Sequence, residues 1–180
     1  MVDRRRMLSE LTVFFLTCSV LGWAYEVFLE VVVYRWGYSD RGVLFGPYCV
    51  IYGFGGVVLL LCLGPLLKKR WYAGPVNLAP VAVFVGIMVI ATGVELLGSY
   101  VMEALTGSWA WDYTRFAFDF QGRIAPNPSL RFGLGGLVLL YLVWPLTRRL
   151  LSPLTDRGAA VVAGCAAGVL LVDTAATFLL

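Results

Sequence analysis

The sequence contains no histidine. That removes the commonest transition-metal ligand and the commonest general base near neutral pH. A Ser-His-Asp site is excluded with it, and a zinc site nearly so. Charge is also sparse. Only 14% of the residues are Asp, Glu, Lys or Arg, against about a quarter in soluble domains. Cysteine is limited to Cys18, Cys49, Cys62 and Cys165, all within apolar runs and none in a Cys-x-x-Cys pair. They read as small apolar packing residues. No Gly-x-x-x-x-Gly-Lys-Ser/Thr phosphate loop occurs, so any use of ATP calls for a separate chain. Basic residues form no face or stripe of the kind nucleic acid requires.

What is present is apolar. Hydrophobic residues make up 60% of the 180, and the mean hydropathy is +0.83. A bilayer core of about 30 Å needs about 20 apolar residues in a helix. Five segments reach that length: about 8–34, 43–67, 77–105, 131–150 and 158–180. The expectation is an all-α integral membrane protein, a bundle of about five transmembrane helices forming one domain over residues 1–180. The first apolar stretch runs from Leu11 to about Tyr34. That is too long for a signal-peptide core and shows no convincing small-x-small cleavage site.

Basic residues set the expected orientation. With the N-terminus cytoplasmic, the triplets at 4–6 and 68–70 and Arg148, Arg149 and Arg157 lie inside. Arg35, Arg41, Arg115, Arg123 and Arg131 lie outside. The excess inside favours a cytoplasmic N-terminus and, after five crossings, an extracytoplasmic C-terminus.

The second segment is unlike the rest. "RGVLFGPYCVIYGFGG" places Pro47 after Gly46, with Gly53, Gly55 and Gly56 beyond. Proline removes a backbone donor, and each glycine costs about 1 kcal/mol against alanine. One reading is a kinked or broken helix inside the bundle or beside a cavity. The other is that glycine lets helices approach closely.

Three carboxylates fall well inside apolar runs: Glu26, Glu95 and Asp173. Each costs roughly 2.5–3.5 kcal/mol at a helix centre, and a leucine gains only about 0.3–0.6. Ser19, Trp23, Glu26 and Glu30 step by three and four along one helix face, as do Thr92, Glu95, Ser99 and Glu103. With the N-terminus inside, all three carboxylates lie in the outer half of the membrane. One reading is a single acidic pocket opening outward, built from Glu26, Glu95 and Asp173 with Arg41 and Arg123, and supported by Trp23, Tyr52, Ser99 and Glu103. In the other, the carboxylates pair with Arg41, Arg123 or Arg131 and only brace the bundle.

Between the third and fourth segments lies an extracytoplasmic loop, 106–130. Its centre, "WDYTRFAFDFQGRI", holds four charges and five aromatic rings. It reads either as an interfacial cap with aromatic anchors or as a lid that brings Trp111, Asp112, Tyr113 and Arg123 over the carboxylates.

These motifs carry a resemblance. "GWAYE" (22–26), "RGVLFGPYCVIYGFG" (41–55), Glu95, "WDY" (111–113), "GRI" (122–124) and Asp173 follow in an order that resembles the bacterial membrane proteins described as putative ABC-transporter type IV. The similarity covers nearly the whole chain. The sequence departs from the expected pattern at Asp40, Val50 and Asp119. The resemblance implies a permease-like protein of the bacterial inner membrane and a separate ATPase subunit. The cytoplasmic loops, 68–76 and 148–157, are short for docking such a subunit.

Three functions remain open at this point. The first is a small transporter or permease subunit whose carboxylates take a cation, a proton or a small polar substrate. The second is a membrane enzyme acting on a lipid or small substrate at the outer face, without a visible nucleophile-base pair. The third is a non-catalytic accessory or assembly subunit. Beyond the lipid bilayer no partner is fixed by the residues, and no cofactor or metal is specified.

Overall fold

The structure is a computed structural model and describes residues 4–39, 42–109 and 111–179. Its principal elements are α1 (Arg4–Phe28), α2 (Val50–Leu67), strands β1 (Tyr72–Ala73) and β2 (Val76–Asn77), α3 (Ala79–Thr106), α4 (Pro126–Val138), α5 (Trp144–Leu151) and α6 (Asp156–Leu179). Two π-helical turns, Leu29–Val33 and Leu139–Val143, extend α1 and join α4 to α5. Five continuous helical stretches are long and apolar enough to cross a membrane: Arg4–Val33, Val50–Leu67, Ala79–Thr106, Pro126–Leu151 and Asp156–Leu179.

Two helix starts differ most from the sequence expectation. The second span begins at Val50, not 43. Pro47 cannot donate a backbone hydrogen bond, and Phe45 and Gly46 give their N–H groups to a side chain instead. Gly53, Gly55 and Gly56 lie inside continuous helix. The fourth span begins at Pro126, not 131. Pro126-Asn127-Pro128, expected to close the loop, forms the first helical turn, where a missing N–H costs nothing.

The chain forms two compact units: Met1–Val58 with Leu142–Leu180, and Leu59–Tyr141. In the first, α1 packs on α5 and α6. Phe14 is fully buried, edge-on to Trp144 with ring centroids 5.3 Å apart. Arg6 donates to the carbonyls of Leu151 at 2.5 Å and Leu154 at 3.0 Å, at the end of α5. A cation there satisfies carbonyls that the helix leaves unpaired and complements its dipole. Glu10, buried beside it, pairs with both Arg6 (3.3 Å) and Arg148 (3.2 Å).

Close approach of α1 and the start of α2 depends on glycine. A Cβ on Gly53 would sit 2.8 Å from the Phe15 carbonyl oxygen, and one on Gly56 would sit 2.7 Å from Cys18 Sγ. Around Gly55 the described residues leave open space. Gly53→Ala is therefore expected to cost about 1–3 kcal/mol through overpacking. Gly55→Ala is expected to be neutral or slightly stabilising, by up to about 1 kcal/mol. Thermal unfolding in detergent separates the two, and equal Tm values would contradict the close crossing.

In the second unit α3 packs on α4. Val83 and Ile87 are fully buried. A Cβ on Gly136 would meet Ile87 Cγ2 at 2.6 Å, and one on Gly133 would meet Met88 Cγ at 2.9 Å. Strands β1 and β2 form a small antiparallel hairpin turned at Gly74, whose φ is +62°. Asn77 Oδ1 accepts the N–H of Ala79 at 3.1 Å and that of Trp71 at 3.0 Å, tying the hairpin to the start of α3.

Candidate functional site

Glu26, Glu95 and Asp173 each take a hydrogen bond from a tyrosine. In the first unit, Glu26 Oε1 accepts from the Tyr52 hydroxyl. Gly22 makes this possible, since any side chain there would overlap the Tyr52 ring. Tyr25 lies edge-on to Tyr52 with centroids 6.5 Å apart. Trp23 Nε1 is buried without an acceptor among the described residues.

Asp173, on α6, holds the non-helical approach to α2. Its Oδ1 accepts from the Phe45 N–H at 2.9 Å and from Thr177 Oγ1 at 3.2 Å. Its Oδ2 accepts from the Gly46 N–H at 2.7 Å and from the Tyr48 hydroxyl. Burial, together with the bond to Asp173, pushes the Tyr48 hydroxyl up to about 12. It stays protonated, and so stays a donor, across the physiological range. The backbone groups that Pro47 excludes from a helix are thus satisfied by one carboxylate. Asp173→Ala is expected to speed hydrogen exchange at Phe45 and Gly46 by about tenfold or more. Unchanged exchange would show that other contacts hold the segment.

In the second unit the aromatic loop folds onto the face of α3 that carries Glu95, Ser99 and Glu103. Tyr113 donates to Glu95 Oε1 at 2.6 Å. Glu95 Oε2 is buried and has no hydrogen-bond partner among the described residues. Arg123 is 5% exposed. It donates to Ser99 Oγ at 3.2 Å and to Glu103 Oε2 at 2.5 Å. Its guanidinium carbon lies 4.2 Å from the Tyr100 ring centroid and 3.9 Å from that of Trp109. The loop is also bonded to itself. Trp111 Nε1 donates to the Arg123 carbonyl at 2.8 Å, and the Tyr113 N–H to that of Gly122 at 2.8 Å. Asp112 is exposed. The Thr114 N–H and hydroxyl donate to its carboxylate and hold it below the usual range.

Several of the expected residues therefore meet within each unit. Arg123 pairs with Glu103, and Glu95 takes its bond from a phenol. Asp112 caps a turn within the loop. Arg41 lies outside the described residues. Glu30, on the Glu26 face in the sequence, is buried and accepts from the Ser39 hydroxyl at 2.7 Å. Sequence reasoning passed over Tyr48 as a donor. The available signal was its spacing of four from Tyr52, just beyond a proline. Neither unit brings three Asp, Glu or Cys side chains together as a metal site among its described residues.

These features define a class: a helical membrane protein with carboxylates inside its spans, three of which accept hydrogen bonds from tyrosines. The chain belongs to the family described as "Putative ABC-transporter type IV", whose profile matches residues 13–178. No curated protein and no solved structure matches it.

Proposed function

We propose that this chain is the permease-like membrane subunit of a transport system in the bacterial inner membrane, and that Glu95 holds a proton or a small monovalent cation during transport. The observation that carries the reading is the buried, unpartnered Oε2 of Glu95. A carboxylate inside a span is expensive as a bare charge. Its one hydrogen-bond partner among the described residues, Tyr113, is a phenol and brings no compensating charge. A proton or a bound cation supplies what the phenol does not. Glu26 and Tyr52 offer the same chemistry in the first unit. Family membership supports the transport class. The excess of basic residues at 4–6, 68–70 and 148–157 supports a cytoplasmic N-terminus, with the Tyr113 loop on the outer side. Energy from ATP would come from a separate subunit.

The test is flux into proteoliposomes. A pH indicator trapped inside reports proton entry under an imposed gradient, and sodium and potassium are tried in turn. Flux of one of these ions above empty liposomes supports the reading. Flux equal to empty liposomes for all three would count against it.

A further inference from the structure

The geometry points to a binding groove for one lipid acyl chain on the membrane-facing side of α3, beneath the aromatic loop and distinct from the Glu95 site. The groove has a volume of about 530 Å³ and is lined by Met88, Val89, Leu96, Phe118, Phe120 and Ile124, among others. That volume falls in the range of small-molecule sites, about 300–1,000 Å³. It opens from a span whose flanking residues Val85, Val89, Val94 and Leu97 are all at least half exposed. The groove therefore continues the surface that a spanning helix presents to lipid.

Its chemistry favours an apolar occupant. The hydroxyls in the lining belong to Thr92 and Ser129, which bond each other at 2.7 Å. Ser129 also donates to the Ala125 carbonyl at 3.0 Å. Both hydroxyl protons are thus engaged, so a ligand acceptor would have to break one of these bonds, whereas an alkyl chain leaves them intact. Shape argues the same way. Phe118 is 90% exposed and sits at φ +59°, a conformation that costs a bulky residue energy. The turn around it is fixed, with Asp119 Oδ1 accepting the Gly122 N–H at 2.7 Å and Phe120 N–H donating to the Ile124 carbonyl at 2.8 Å. The loop thus spends backbone strain to hold an aromatic ring at the rim of an apolar groove. Aromatic rings at that level suit the membrane interface.

Gly93 provides a means of closing the groove. It belongs to the lining, and a Cβ there would meet nothing within 4 Å among the described residues. A tryptophan at this position fills the groove without invading the helix packing. The experiment reconstitutes the full chain in bilayers containing a phospholipid with a photoreactive group on its acyl chain. Labelled residues are then mapped by mass spectrometry. Labelling over 88–96 and 118–126 is expected to exceed that over the exposed α6 stretch 160–162 by about threefold or more. Gly93→Trp should reduce it to the α6 level and leave α6 unchanged. Phe118→Ala, at an exposed position, should reduce it at least twofold with the fold intact. Groove labelling equal to α6 in the unmodified protein, or unaffected by both substitutions, would overturn the proposal. Labelling below α6 would overturn it too, since another protein chain would then cover the groove.

Discussion

Arg123→Ala is expected to destabilise the second unit by about 2–4 kcal/mol and to release the aromatic loop from α3. The guanidinium is sandwiched between Tyr100 and Trp109. A desolvated cation–π contact contributes about 0.5–2 kcal/mol, and two are lost. The ion pair adds less than its 2.5 Å length suggests. The Glu103 side chain is 42% exposed, so it regains water when its partner goes, and solvent screens the pair while it lasts. Lysine at this position keeps the charge but cannot stack as a plane or donate as a fork. Arg123→Lys should therefore recover less than half of the loss. Thermal unfolding in detergent measures the stability, and limited proteolysis within 109–125 reports the loop. A variant with unchanged Tm and an uncut loop would remove Arg123 from the account of how the loop is held.

Glu95→Gln is expected to abolish ion flux, by at least about tenfold, while the protein folds normally. The amide keeps the shape and still offers an oxygen to Tyr113, so the hydrogen bond survives. What is lost is the negative charge and the ability to take up a proton. Tyr113→Phe makes the complementary change: the carboxylate stays and its donor goes. A hydrogen bond to a charged group contributes about 1.5–3 kcal/mol, equivalent to roughly 10–100-fold in affinity. Flux should therefore persist in Tyr113→Phe, with the ion concentration for half-maximal rate shifted by about that factor. A Glu95→Gln protein with full flux would show that ions pass elsewhere. A Glu95→Gln protein that fails to fold would assign the carboxylate a bracing role.

Much of this was legible in the sequence, because bilayer solvation is a strong constraint. The five spans follow from the length of apolar runs alone, and the expensive carboxylates stand out against that background. Helix ends were less legible. Pro126 and Pro128 carry the same signal whether they end a loop or begin a helix, and the choice depends on where the chain turns in space. Gly46-Pro47 left two readings open in the sequence, and the helix begins only at Val50. What satisfies the freed backbone groups lies 127 residues away at Asp173, a distance no local pattern spans. The partners of the carboxylates were also out of reach. Charge arithmetic favours arginine, and Arg123 does pair with a glutamate, but with Glu103 rather than Glu95. Helical spacing places Glu95, Ser99 and Glu103 on one face. It cannot say which loop residue lands on which step of that face. The sequence placed Tyr52 and Tyr113 around the carboxylates but passed over Tyr48, and a tyrosine is the donor to Glu26, Glu95 and Asp173 alike.

The claim that Glu95 holds a proton or cation is tested most directly by infrared difference spectroscopy on the reconstituted protein, comparing wild type with Glu95→Gln. The account predicts a carboxyl band that belongs to Glu95. It should appear as a protonated C=O stretch that comes and goes with pH, or as a carboxylate band that shifts when sodium or potassium is added, and it should be missing from the variant. Identical difference spectra for the two proteins, across pH and with either cation, would contradict it.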